Sequence, residues 1–168
     1  MRRLIVAALG AALLLSPVCA GAQTTPAAAP PPPPPYGMSI GFDAAKKAIA
    51  AAEAEAKKNN WPVAIAVVDS SAKLVAFLKM DNTQHASVDI ALGKAVTANN
   101  FKRPTKALQD GIAQGGANLR LLAVPGVMPL EGGVPIVVDG KIIGAIGVSG
   151  VMSNQDAEVA MAGANAAK

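Results

Sequence analysis

The stretch from Asp139 to Gly150, DGKIIGAIGVSG, decides the fold of this chain. Its Asp139-Gly140 dipeptide stands between two apolar runs, Val134 to Val138 and Lys141 to Ser149. Asp-Gly in this setting favours a tight hairpin turn, because both central residues of such a turn adopt positive φ. The stretch therefore predicts a β-hairpin, and a hairpin implies an antiparallel sheet.

Three glycines of this stretch, Gly144, Gly147 and Gly150, are spaced by three residues. That spacing does not match the G-x-G-x-x-G dinucleotide fingerprint, and no Gly-Lys-Ser/Thr ending marks a phosphate-binding loop. Glycine inside a strand usually marks the close approach of a backbone or a ligand. Two interpretations follow. The glycines admit a closely packed helix, or together with Ser149 they form one wall of a ligand site.

The rest of the folded part alternates between helix-like and strand-like segments. Two short apolar runs joined by a turn predict a further antiparallel hairpin, and apolar residues spaced by three and four predict helices. The predicted strands are Pro62 to Asp69 and Leu74 to Leu78, and the predicted helices are Phe42 to Asn60, Ala86 to Phe101, Thr105 to Gln114 and Asn154 to Ala167. We expect an α+β fold in which helices pack against an antiparallel sheet of about five strands. The first strand is apolar on both faces and should be central.

The helix from Ala86 to Phe101 carries one lysine in an unusual position. Ile90, Lys94 and Thr97 recur at spacings of four and three, which places them on one helix face. Lys94 therefore lies on, or at the margin of, an otherwise apolar stripe. Its side chain either runs along an apolar surface with its ammonium group in water, or binds the carboxylate of a ligand. Asp156, near the start of the last helix, is interpreted as a residue of the helix cap.

The N-terminus has the features of a secretory signal peptide over residues 1–22. Arg2 and Arg3 precede the apolar run Leu4 to Leu15, and a cleavage site of small residues ends at Ala22. We expect cleavage there and a periplasmic or secreted protein. Lipoprotein processing at Cys19 is the alternative, although the residues before Cys19 match its pattern poorly. Cleavage after Ala22 leaves a mature protein without cysteine.

A proline-rich segment, residues 23–38, separates this leader from the predicted domain, residues 39–168. Its six consecutive prolines, Pro30 to Pro35, favour a polyproline II rod. The rod is interpreted as a spacer, with a role as a partner ligand as the alternative. The formal net charge of +4 falls to +2 once Arg2 and Arg3 are removed with the leader. We therefore expect neither nucleic-acid binding nor, because the apolar run is short, a membrane span.

His85 is the single histidine of the chain. One histidine without cysteines does not build a zinc site of the usual kind, and no G-x-S-x-G elbow accompanies it. It is either an exposed loop residue or one axial ligand of a haem iron. No pair of a general acid and a general base, and no nucleophile, stands out, so an enzyme is not favoured.

Four pieces of the chain, taken together, resemble the GlcG/HbpS family of haem-binding or haem-degrading domains. They are VAIAVVD from Val63 to Asp69, KMD with S-x-x-x-A-x-x-KAVTA from Lys79 to Ala98, EGGVPI from Glu131 to Ile136, and GKIIGAIGVSG with QDAEVAMAG from Gly140 to Gly163. The resemblance covers Ser39 to Lys168. It departs from the family pattern in loops and caps, for example at Lys79 and Ala157.

The resemblance implies a profilin-like fold, a homo-oligomer and haem as a cofactor. It leads us to expect an exported haem-binding protein and not an enzyme. The small-molecule ligand would contact Lys94, Thr97, Gly144, Gly147, Ser149 and Gly150, and His85 would reach the iron. The alternative is an oligomeric accessory protein that binds a small organic acid or a protein partner without haem.

Overall fold

The structure is a computed structural model that describes residues 31–168. The predicted signal peptide, its cleavage site, Cys19 and most of the predicted proline-rich segment lie outside these residues. None of the helices in the described part is long and apolar enough to cross a membrane.

Helices and strands follow the predicted order closely. The α-helices are α1 (Phe42–Lys58), α2 (Ser87–Phe101), α3 (Thr105–Ala113) and α4 (Ser153–Ala166). The strands are β1 (Ala64–Asp69), β2 (Leu74–Lys79), β3 (Gly133–Val138) and β4 (Lys141–Ser149). A 3-10 helix, Gly116–Ala123, lies between α3 and β3. The turn that joins β3 to β4 has positive φ at Asp139 (47°) and Gly140 (72°), as the sequence predicts.

Within residues 31–168 the sheet has four strands in the order β2-β1-β4-β3, and every pair of neighbours is antiparallel. β1 is central, as predicted. The prediction of about five strands is wrong. β4 extends beyond the end of β1. On that side the backbone of Ile142 bonds to a short segment: its N–H donates to the carbonyl of Pro35, and its carbonyl accepts from the N–H of Gly37. This segment makes a single bridge, between Tyr36 and Ile142, and no strand.

The helices form two unequal layers on the sheet. α1 and α4 pack together on one face, over Ile65, Val67 and other large aliphatic side chains. α2 covers the other face, where β1 presents Ala64 and Ala66. Small side chains on this face allow α2 to approach the strands closely, and this close approach determines the surroundings of the predicted ligand residues.

The segment before α1 is attached to the domain through Tyr36. Its hydroxyl donates to the carbonyl of Asn99 at 2.9 Å, and the Lys102 ammonium lies 4.3 Å from the centre of its ring. A cation over an aromatic face is attracted by the ring quadrupole. The last residues of the predicted linker are therefore in contact with the end of α2.

Candidate functional site

Two cavities meet between β3 and α4, and we call them together the β3–α4 trough. The first, of about 260 Å³, is lined by Pro104, Lys106, Glu131, Gly132, Gly133, Val134, Ala157 and Met161. The second, of about 280 Å³, is lined by Val134, Pro135, Val137, Met161, Ala164, Asn165 and Lys168. They share Val134 and Met161 and so are adjacent. The trough lies along β3, an edge strand of the sheet.

Aliphatic side chains and alanines dominate the trough, and charged groups are few. Met161, at the junction of the two cavities, is 51% exposed. Each cavity has one lysine: Lys106, which pairs with Asp110 at 2.9 Å, and Lys168, whose ammonium donates to Asn165. An apolar cleft with a few charged groups at fixed places is the usual form of a small-molecule site.

A buried ion pair lies directly behind the first cavity. The Lys94 ammonium is 2.7 Å from the Asp156 carboxylate, and the two side chains are only 2% and 3% exposed. The ammonium also donates to the carbonyl of Val148 at 2.9 Å, and the carboxylate accepts from the N–H of Val151 at 3.2 Å. The pair thus joins α2, the end of β4 and the start of α4.

Burial acts on the pKa of both partners in this pair. It lowers the pKa of the Lys94 ammonium and raises the pKa of the Asp156 carboxyl, because each charged form loses water. The hydrogen bond and the opposite charge across the pair act in the other direction on both groups. Each partner therefore depends on the other to remain charged.

Gly132 separates the cavity from the ion pair. Its φ is 123°, a value that side chains rarely adopt. A Cβ built there would lie 2.8 Å from the Lys94 ammonium nitrogen and 2.8 Å from the Asp156 Cβ. Only a glycine fits between the trough and the ion pair. The first glycine of the EGG motif, Gly132, is therefore required for the close packing of the chain against Lys94 and Asp156.

Gly132→Ala is expected to destabilise the domain by about 2–3 kcal/mol, because it combines backbone strain with a clash against a buried pair. Gly126→Ala is the matched control. Gly126 also has positive φ (76°), but no atom lies within 4 Å of a Cβ there. Urea unfolding of the two variants checks the prediction. Equal losses of unfolding free energy in the two variants would mean that the clash with Lys94 and Asp156 adds nothing to the cost of the backbone strain.

The residues predicted to contact a ligand lie under α2 and at the end of β4. Lys94 is held by Asp156, and the Thr97 hydroxyl accepts from the N–H of Met128. Ser149 bonds to the hydroxyl of Ser87 on α2. Lys94, Thr97 and Ser149 are buried, and each has a hydrogen-bond partner within the protein.

The β4 glycines meet protein backbone. A Cβ at Gly147 would collide with the carbonyl of Ala91 and the N–H of Ala95 on α2. At Gly144 it would meet the carbonyl of Val68, and at Gly150 the carbonyl of Pro62. The geometry supports the interpretation in which Gly147 admits a closely packed helix. The ligand contacts predicted for these residues stay a prediction.

His85 lies in the turn before α2 and is exposed. Its ring makes no hydrogen bond with any group in residues 31–168. No cluster of three or more histidine, cysteine, aspartate or glutamate side chains suited to a metal occurs in this part of the chain either. His85 is thus accessible to a ligand from solvent.

The sequence-based interpretation missed two features. Asp156 was assigned to the helix cap, whereas it is the counter-ion of Lys94. A lysine on an apolar helix face is the signal for such a partner, since a buried charge requires one. Met161 was not considered at all, because its exposure in the trough follows from the packing of α4 beside an edge strand.

The comparisons with known proteins agree with this architecture. The family model described as "Haem degrading protein HbpS-like" matches residues 40–165. The chain belongs to the HbpS-like family. The family resemblance stated from the sequence is therefore confirmed. This HbpS-like chain is 45% identical to Protein GlcG of Escherichia coli K12 over 105 residues, which are 62% of this chain and 77% of GlcG.

Solved structures of the family superpose on this HbpS-like domain. The HbpS double mutant of Streptomyces reticuli is 34% identical, with a TM-score of 0.71, over 83% of this chain and 97% of that one. The structure named PduOC:Heme Complex is 27% identical, also with a TM-score of 0.71, over 77% of this chain and 95% of that one. The corrinoid adenosyltransferase PduO of Citrobacter freundii is 29% identical, but the match covers only 37% of it.

Proposed function

We propose that this HbpS-like protein binds haem and acts outside the cytoplasm without catalysing a reaction. One observation carries the proposal: a related domain with the same fold has been solved as a haem complex. The description of the matching family model also names haem. The sequence of residues 1–22 supports export. A bound haem would supply a redox-active iron centre, and the chain would supply its binding surface.

The described residues fit such a group. The β3–α4 trough offers apolar walls for a porphyrin, and Lys106 and Lys168 offer positive charge to carboxylates. The thioether of Met161, which lines both cavities of the trough, is a candidate iron ligand, because methionine sulfur binds haem iron in other proteins. The exposed imidazole of His85 is the alternative candidate.

Titration of the purified protein with haemin is expected to shift the Soret band at micromolar haemin. The apolar trough should take the porphyrin out of water, and an iron ligand should change the visible spectrum. Heat-denatured protein at the same concentration controls for nonspecific adsorption. An unshifted Soret band across the titration would refute haem binding.

The alternative, an accessory protein that binds a small organic acid or a protein partner without haem, is not favoured by these comparisons. A thermal-shift series with haemin and short hydroxy acids separates the two functions, because a ligand stabilises only the state that it binds. Stabilisation by a hydroxy acid alone would favour the accessory function.

We also propose that the protein is a homo-oligomer. β2 is an edge strand, and its Leu74 and Phe77 side chains are substantially exposed. An exposed apolar edge strand is a common surface for association. Light scattering on the purified protein checks the mass, and a monomer at high micromolar concentration would contradict the proposal.

A further inference from the structure

We infer that haem binds in the β3–α4 trough and that the Met161 thioether faces its iron. This inference rests on the proposed haem binding and locates its site. It differs from the expectation drawn from the sequence, since the trough is lined by neither His85 nor any of the β4 glycines.

The volume and the lining of the trough suit an apolar ligand. Each cavity alone is smaller than the roughly 300 Å³ at which small-molecule pockets begin, but the two adjoin through Val134 and Met161. One wall is the aliphatic edge of β3, with Val134 and Val137. The α4 wall includes Ala157 and Ala164, whose short side chains take up little of the cavity space.

Met161 supplies the chemistry. A thioether is an established axial ligand of haem iron, and Met161 lines both cavities at the point where they meet. Its side chain is half-exposed, so its sulfur is not committed to the core.

The charges of the trough match the carboxylates of haem. Lys106 belongs to one half of the trough and Lys168 to the other, and both ammonium groups are near the surface. Glu131 is the one acidic residue among the lining residues of these two cavities. Exposed ion pairs contribute little energy, so the lysines would orient the ligand more than hold it.

The experiment compares the sulfur with matched controls in the full protein. Met161→Leu keeps the apolar volume and removes the thioether, so it should retain haem but change the ferric spectrum and lower the reduction potential, since a methionine ligand raises it. Met152→Leu makes the same chemical change at an exposed methionine outside the trough and should leave both unchanged. His85→Ala replaces the alternative candidate ligand, and the assignment to Met161 requires that spectrum and potential stay as in the wild type.

Two further variants test the place of binding without reference to the iron ligand. Ala157→Phe and Val137→Phe narrow the two halves of the trough at partly exposed positions that should tolerate the change. Each is expected to weaken haemin binding about tenfold or more, with unchanged circular dichroism. Lys106→Met should weaken it about fivefold or less.

The outcomes separate the two proposals. Wild-type protein that binds no haemin overturns both the haem function and this site. Wild-type binding with unchanged affinity in Ala157→Phe and Val137→Phe overturns the trough and leaves the haem function standing. An unchanged spectrum and potential in Met161→Leu would overturn the iron-ligand assignment, and so would a changed spectrum in His85→Ala.

Discussion

Lys94→Met is expected to lower the free energy of unfolding by about 3–5 kcal/mol. The substitution leaves the Asp156 carboxylate buried without its counter-ion, and breaking one side of a buried pair costs this much. The Lys94 ammonium donates directly to the Asp156 carboxylate at 2.7 Å and to the Val148 carbonyl at 2.9 Å. Its loss therefore removes two hydrogen bonds together with the charge.

The double variant Lys94→Met, Asp156→Leu distinguishes the pair from the packing of either residue. Replacing both charges by apolar groups of similar size is often neutral, because no charge remains to be desolvated. We expect the double variant to recover at least half of the lost free energy of unfolding. The recovery should be incomplete, because Asp156→Leu also removes the acceptor of the Val151 N–H. Lys106→Met is the matched control. It breaks an exposed pair with Asp110, and because exposed pairs contribute little to stability, it should leave the free energy of unfolding nearly unchanged.

Urea unfolding of the three variants, followed by circular dichroism, measures these differences. A single Lys94→Met variant as stable as Lys106→Met would show that Asp156 is satisfied without Lys94. A double variant no more stable than Lys94→Met would show that the unpaired Asp156 carboxylate is not the source of the loss.

Gly147→Ala is expected to destabilise the domain by about 3 kcal/mol or more, the second large effect. A Cβ there would collide with the carbonyl of Ala91 and the N–H of Ala95. Both are backbone atoms of α2, so no rotamer change relieves the clash. Overpacking of a close-packed interior costs about 1–3 kcal/mol even where side chains can shift, and here a whole helix must move.

Gly41→Ala is the control for this substitution. Gly41 precedes α1 with an ordinary φ of −78°, and no atom lies within 4 Å of a Cβ there. We expect a change within about 0.5 kcal/mol. Thermal unfolding of both variants gives the comparison. A Gly147→Ala domain with the stability of Gly41→Ala would mean that α2 is not seated on the sheet as described.

Local sequence patterns predicted most of the fold because most of its elements are determined locally. The Asp139-Gly140 turn follows from the need for positive φ, and the hairpin follows from the turn. The central position of β1 follows from its being apolar on both faces. The predicted number of strands, about five, was wrong. A fifth strand is not needed beside the free part of β4, because the short segment from Pro35 to Gly37 bonds to its backbone there.

The candidate site was less accessible to prediction because it depends on long-range packing. Helical spacing placed Lys94 on an inward face, and the structure buries it there. Its partner, Asp156, is 62 residues away, and no local period relates two residues at that separation. The trough depends on which strand lies at the sheet edge beside α4, and the strand order is not encoded in the pattern of any single element.

The separation of Lys94 from Asp156 also bears on the time course of folding. α2 cannot bury its lysine at low cost until α4, the last helix, brings the carboxylate to it. Pairings between distant parts of a chain form slowly because the intervening loop must first be closed. A nascent chain that ends before Ser153 should therefore hold α2 only loosely on the sheet. Completion of the domain would therefore wait for its C-terminal residues.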